Sequence, residues 1–323
     1  MYFYIKTNAI IVFFLFLESV CFSQKIDSLA FFSPAPEFNA QRFRLAAGAI
    51  GVTYTGFSIA LYNTWYKKFD QKEFHFFNDW GEWNNVDKAG HVYSAHAQAL
   101  LSYKAAKWTG MSESKAIWSG VLLGGIGQTS IEIMDGFSSK WGFSLSDFGA
   151  NAIGLGLFAG QQAIWHEQRI VLKLSSYPKD YSSINLIPDV IDKDAYVDQI
   201  VSSLYGNRWG ERFLKDYNAQ TIWLSANVNA FIPTSKLPDW FNVSFGYGSE
   251  NLFGGFSNEQ VDVIISNHRY KQYFLSPDID LTRIKSKKPF WKTVLSVLNI
   301  FKLPMPTLEY NSTGQLVWHW LFL

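Results

Sequence analysis

Cysteine is almost absent: the 323 residues contain one, Cys21, inside an apolar N-terminal stretch. A chain cut beyond that point has no disulfide and no thiol chemistry, even in an oxidising compartment. Charge is scarce as well, at 17% of residues, and 28 basic against 27 acidic side chains leave a formal net charge of +1. That balance excludes the electrostatic footprint of a nucleic-acid or polyanion binder. The sequence has no phosphate-binding glycine loop, no G-x-S-x-G elbow, no H-E-x-x-H and no internal repeat. What it has in excess is aromatic surface, 18% of residues with 13 Trp. Trp and Tyr favour the boundary between lipid and water, so a membrane lipid is the expected partner.

Residues 1–23 read as a signal peptide. Lys6 precedes an apolar run from Ala9 to Leu17, and small residues lead to a cleavage point after Ser23. The run is short for a bilayer span. Acylation of Cys21 would need a lipobox, a pattern that Glu18 and Val20 do not fit. The expected address is therefore outside the cytoplasm, in the periplasm or outer membrane.

The rest divides by pattern into an α+β protein: an N-terminal apolar helical bundle over 24–176 and a mainly antiparallel β region over 177–323. Helices are expected from Arg42, and at about Lys88–Trp108, Glu113–Met134 and Leu145–Arg169, with Asp87, Ser112 and Ser144 as N-cap types. Gly120 with Gly124, and Gly156 with Gly160, have the spacing that lets helix backbones approach. Beyond Tyr177 apolar and polar residues alternate, as in Ile222, Leu224, Ala226 against Trp223, Ser225, Asn227. Such strands fit either a sheet lying on the helices or part of an outer-membrane barrel. Five or six clear strands fall below the barrel minimum of about eight, which favours the sheet.

Each of three helices carries one polar stripe. Asp87, His91 and Ser94 share a face, as do Gln128, Glu132 and Asp135, and then Ser144, Asp147, Asn151 and Gly154. Turned inward, the stripes bring one imidazole and four carboxylates together. Four unpaired anions cannot all stay ionised in a low dielectric, so a cation, Lys88 or protonation must neutralise them. A divalent metal is one solution, with His91 as nitrogen ligand and Glu132, Asp135 and Asp147 as oxygen ligands. Asp87, His91, Glu132, Asp135 and Asp147 are then candidate catalytic groups for metal-assisted or acid–base hydrolysis. The same residues also fit a structural network in which Asp87 is an N-cap and Ser144 with Asp147 a capping box. His75, His96, His166, His268 and His319 read as structural, and Asp278 with Asp280 as a solvated sheet face.

D-K-x-x-H at Asp87–His91, E-x-x-D at Glu132–Asp135 and W-G-x-S-x-x-D at Trp141–Asp147 resemble the YfiM-like family of predicted periplasmic lipoproteins. In the β region KDYNAQTIWLS, GYGSENLFGG, YFLSPDIDLTRIK and PTLEYN look like hallmarks of the Bacteroidota type of that family. The early D-K-x-x-H with the late D-x-x-x-N-x-x-G is more distantly similar to VanZ-like membrane proteins. The resemblance implies a cell-envelope protein of a Gram-negative bacterium and implies no reaction.

Overall fold

A computed structural model describes residues 31–67, 69–187, 192–259 and 264–322; the leader and its cleavage point lie outside them. Helices come first and an antiparallel sheet follows, which makes the chain α+β. Four long helices, α1 (Ala40–Leu61), α2 (Val86–Trp108), α3 (Glu113–Gly136) and α4 (Leu145–Trp165), form the bundle. Helix α2 is its axis and packs on both α3 and α4.

Small residues set those close approaches. A methyl group at Gly154 would lie 2.2 Å from the Val92 carbonyl oxygen, and one at Gly120 would lie 2.6 Å from that of Ala99. Gly156 and Gly160 face open space, so their matching interval brings no backbone near. Helix α4 stops at Trp165, short of Arg169, because His166 turns left-handed (φ 58°) and Ile170 already begins a strand. Ser144 caps α4, its Oγ accepting from the Asp147 N–H at 2.9 Å. Asp87 is not a cap: α2 starts at Val86, after Asn85, and leaves the Asp87 carboxylate free for the site.

Helix α1 is long and apolar enough, by length and composition, to cross a membrane, and none of its residues is buried. It lies along the bundle, tied at its middle by Tyr54 to the Ser130 hydroxyl of α3 at 2.6 Å. The bundle's outer surface is apolar too: Trp118, Leu122 and Ile126 on α3 and Leu145, Ile153 and Ile164 on α4 are exposed.

Six strands make the larger sheet among the described residues: β1 (Ile170–Ser176), β2 (Gln220–Asn227), β3 (Phe241–Glu250), β4 (Tyr270–Ile279), β5 (Met305–Asn311) and β6 (Leu316–Phe322). Each pairs antiparallel with the next. Strand β1 precedes the boundary expected at 177, so the sheet begins where α4 ends. Two short helices, α5 (Lys193–Tyr205) and α6 (Trp209–Lys215), fill the β1–β2 connection, and α7 (Pro289–Leu298) lies between β4 and β5.

The sheet packs on the bundle at one end, where Leu172, Leu174 and Ile222 meet Tyr93 and Ala97 of α2. It also curls. The rings of Trp223 on β2 and Phe322 on β6 are 6.0 Å apart, although β3, β4 and β5 lie between them in the sheet. A flat sheet would hold those strands about 19 Å apart at about 4.8 Å per strand. The ring is completed by the segment before β5, so the strands form a small closed barrel where their number had favoured a sheet. Leu174 N–H donates to Ile300 O (3.0 Å) and Lys302 N–H to Leu174 O (2.9 Å), so this chain runs beside β1 and then passes to β4 as β5.

Closure decides which side of the alternation is wet. The polar side lies inside: Lys173, Ser225, Ser244, Ser276 and Asp278 are buried. The apolar row Leu224, Phe245, Leu275 and Trp318, in register across the strands, lies outside and is exposed beyond the helices. Asp278 and Asp280, expected on a solvated face, are 0% and 1% exposed. Asp278 sits between Lys173 Nζ at 2.8 Å and Lys302 Nζ at 3.7 Å. Gly246 makes room inside for the Trp223 ring, whose nearest carbon a methyl group would meet at 2.7 Å.

Candidate functional site

Three segments converge at the amino end of α2. The first is the aromatic connector before it, where His75 and Phe77 bond to the backbone of Gly136 and Phe143. This carries Asp79 onto the start of α4, where Ser144 and Ser146 donate to its Oδ1 at 2.6 and 2.5 Å. The second is a tight turn in which Trp83, Asn84 and Asn85 are all left-handed, at φ 52°, 53° and 65°. Asn tolerates that conformation, but Trp does not favour it, at a cost of about 1–2 kcal/mol. The barrel holds it: Trp83 N–H donates to Gly255 O at 2.7 Å, Asn84 Nδ2 to Ser249 Oγ at 2.8 Å, and Tyr247 donates to the Asn84 carbonyl. The third is Tyr217, before β2, whose hydroxyl reaches Asp87 Oδ1 at 3.0 Å.

Around this entry the three stripes do turn inward. His91 Nε2 lies 3.8 Å from Asp87 Oδ1 and 3.7 Å from Asp147 Oδ2. On the other side of the ring, Nδ1 is 3.2 Å from Asn151 Oδ1 and 3.6 Å from Glu132 Oε1. Lys88 Nζ is shared by Asp79 (2.7 Å), Asp87 (2.8 Å) and Asp147 (2.7 Å). Asp135 stands apart. At three residues from Glu132 it is rotated by about 60° from it on the helix, and Tyr66 donates to it at 2.8 Å. The ligand set expected from sequence therefore changes. The atoms that lie within 4.8 Å of one another belong to Asp87, His91 and Asp147, whereas Glu132 backs the far ring nitrogen and Asp135 lines the cavity wall. Asp79, Glu82 and Tyr217 carry no helical period and could not be read from spacing. His96, on the same helix, is wholly buried against Phe158, where burial holds its pKa down at about 4.

The electrostatics follow from crowding. Burial raises Asp147, and the Asp87 charge beside it raises it further. Burial works the same way on Asp79, but hydrogen bonds from Asp147, Lys88, Ser144 and Ser146 outweigh it and hold that carboxyl well below the usual range. Burial pulls His91 down, while Asp87, Asp147 and Glu132 together lift it above its ordinary value. Burial, helped by Asp87 and Asp79, pushes Glu82 up to about 7, and burial with Glu132 does the same to Asp135.

The last two shifts fix a pH dependence. Between the unfolded carboxyl values near 4 and about 7 the folded state binds more protons than the unfolded one. Their contribution is complete below that window and is lost as the pH rises through 7. The urea midpoint is expected to be higher at about pH 5 than at about pH 8, with the slope reduced in Glu82→Gln and Asp135→Asn. A midpoint that climbs across this window would contradict the assignment.

These residues face a cavity of about 350 Å³ lined by α2, α3, the connector and β1. A second cavity, of about 1000 Å³, runs between α1 and the α2–α3 pair, and no charged side chain lines it among the described residues. Phe57, Leu61, Gln98 and Ile131 line both, so the apolar groove opens onto the acidic end.

Fold and site together define an α+β protein with an acidic, imidazole-bearing cavity at the foot of an apolar groove. Residues 75–160, about a quarter of the chain and the part that carries Asp79, Asp87, His91, Glu132 and Asp147, match the model of a family described as predicted periplasmic lipoprotein (DUF2279). The match supports an exported protein, of the periplasm or outer membrane. No curated protein and no solved structure matches the chain.

Proposed function

We propose that this is a YfiM-like envelope protein that binds a glycerophospholipid, with acyl chains in the α1–α3 groove and the head group in the acidic cavity. The observation that carries the reading is the shared wall of Phe57, Leu61, Gln98 and Ile131, which joins an uncharged space to one lined by carboxylates and the His91 imidazole. Volumes of about 1000 and 350 Å³ are of the size that small-molecule sites occupy. The carboxylates suit the ammonium of a zwitterionic head group, and His91 suits its phosphate. Helix α1 forms the outer wall of the groove with no buried residue, so displacing it breaks little packing. The exposed apolar rows of the bundle and barrel favour docking against the outer membrane. Lipid attachment to the chain itself would have to use Cys21, the single thiol. The thinner VanZ-like likeness contributes the helix pattern alone.

The test is native mass spectrometry of the purified chain, followed by transfer of labelled phosphatidylethanolamine from vesicles. Co-purified phospholipid at about one per chain is expected. Ser102→Trp, which fills the groove floor, should weaken uptake about tenfold or more while the circular dichroism is kept. Equal uptake by the filled variant would remove the proposal. The second reading, metal-assisted or acid–base hydrolysis of an envelope lipid or glycan phosphate, draws on His91 Nε2 standing between two carboxylates. Conversion of the bound lipid in the same assay would favour it.

A further inference from the structure

We propose that Asp87, His91 and Asp147 form a binding site for a divalent first-row transition cation, of which Zn²⁺ is the probe of choice. The Nε2 contacts of 3.7 and 3.8 Å are too long for hydrogen bonds. They are close to the edge of a coordination tetrahedron, about 3.4 Å for metal–ligand bonds of about 2.1 Å, so a contraction of a few tenths of an ångström suffices. In the tautomer whose Nδ1–H donates to Asn151 Oδ1, the Nε2 lone pair points at the two carboxylates. Without a cation between them, that arrangement sets three electron-rich atoms face to face. An outer ring of partners is already in place. Lys88 holds the opposite oxygens, Asp87 Oδ2 and Asp147 Oδ1, and Asn151 and Glu132 support the imidazole from behind.

An independent observation points to a ligand at the same place. Gln128 and Glu132, one turn apart on α3, are each 1% exposed, yet Gln128 Nε2 and Glu132 Oε1 have no hydrogen-bond partner. Gln128 lines the same cavity as His91. Unpaired buried polar atoms of this kind are costly, about 1–3 kcal/mol each; an oxygen ligand carried on the ion would accept from Gln128 Nε2, whereas Glu132 Oε1 stays beside Nδ1 behind the ring. One nitrogen and two carboxylate donors suit zinc, manganese or iron better than the all-oxygen cages of calcium and magnesium. Three protein ligands leave a coordination position toward the cavity, and it would take a phosphate oxygen; this last clause rests on the lipid reading, whereas the site itself does not.

The experiment uses the full chain without a polyhistidine tag, stripped with chelator and kept free of added lipid. Calorimetric titration with Zn²⁺ should give one equivalent per chain. His91→Gln and Asp147→Asn should weaken binding about 100-fold or more, and Asn151→Ala about 10–100-fold, while His268→Gln leaves it unchanged. Should His91→Gln fail to fold, Co²⁺ added to the wild type must show a ligand-field spectrum distinct from that of the aqueous ion. Absence of stoichiometric binding, a Co²⁺ spectrum like that of the aqueous ion, or equal affinity in His91→Gln would overturn the site. Lipid uptake by the metal-free chain is measured separately, so each proposal can fail alone.

Discussion

Lys88→Met is expected to lower the free energy of unfolding by about 3–5 kcal/mol, the usual cost of removing one member of a buried ionic group. The side chain is 9% exposed, and its ammonium is within 2.8 Å of three carboxylates. Methionine keeps the volume and removes the charge, so Asp79, Asp87 and Asp147 are left facing one another. They can respond only by taking up protons or by moving apart. The loss should therefore shrink in mild acid, where protonation replaces the missing cation. Urea denaturation at neutral and mildly acidic pH measures both effects. A change below about 1 kcal/mol at neutral pH would show that water reaches the cluster freely.

Asp278→Asn in the barrel should be comparably damaging, again about 3–5 kcal/mol. The Lys173, Lys302 and Asp278 side chains are all 0% exposed, and the carboxylate is the anion between the two ammonium groups. Removing it leaves two cations enclosed by Trp223 and the serine ladder. Lys173→Met should cost less, because Asp278 keeps Lys302. Burial, with Lys173 adding to it, already holds Lys302 down at about 8. Asp278 raises Lys302, so in the Asp278→Asn variant Lys302 falls further, and raising the pH toward 8 discharges it and should recover part of the loss. Equal stability of Asp278→Asn and wild type would mean that the polar side of the sheet is hydrated, as an open sheet would be.

The polar stripes were legible because the helical period is rigid. Asp87 and His91, or Ser144, Asp147 and Asn151, can share a face in one way only, and they do. Asp135 shows the limit of that reasoning. An offset of three residues keeps a side chain near a face but not on it, and Tyr66, just beyond the end of α1, captured it. Asp79, Glu82 and Tyr217 were illegible for a different reason. They enter from irregular segments, whose direction depends on contacts such as Asn84 with Ser249 that no local pattern encodes. The glycines divide likewise: Gly120 and Gly156 sit in similar surroundings along the chain, but only Gly120 has a helix against it.

By itself the sequence determined the α+β order, the helical stripes and the two-sided strands, since each depends on neighbours in the chain. Tertiary structure alone decided which side of each strand is wet. Alternation of period two is unchanged when the strand is turned over, and only the passage of residues 300–305 from β1 toward β4 closes the ring around its polar face. Tertiary structure also decided that His91 stands between Asp87 and Asp147 and not beside Asp135, because the distance between two helices depends on what packs between them: here, the bare backbone of Gly154 against Val92.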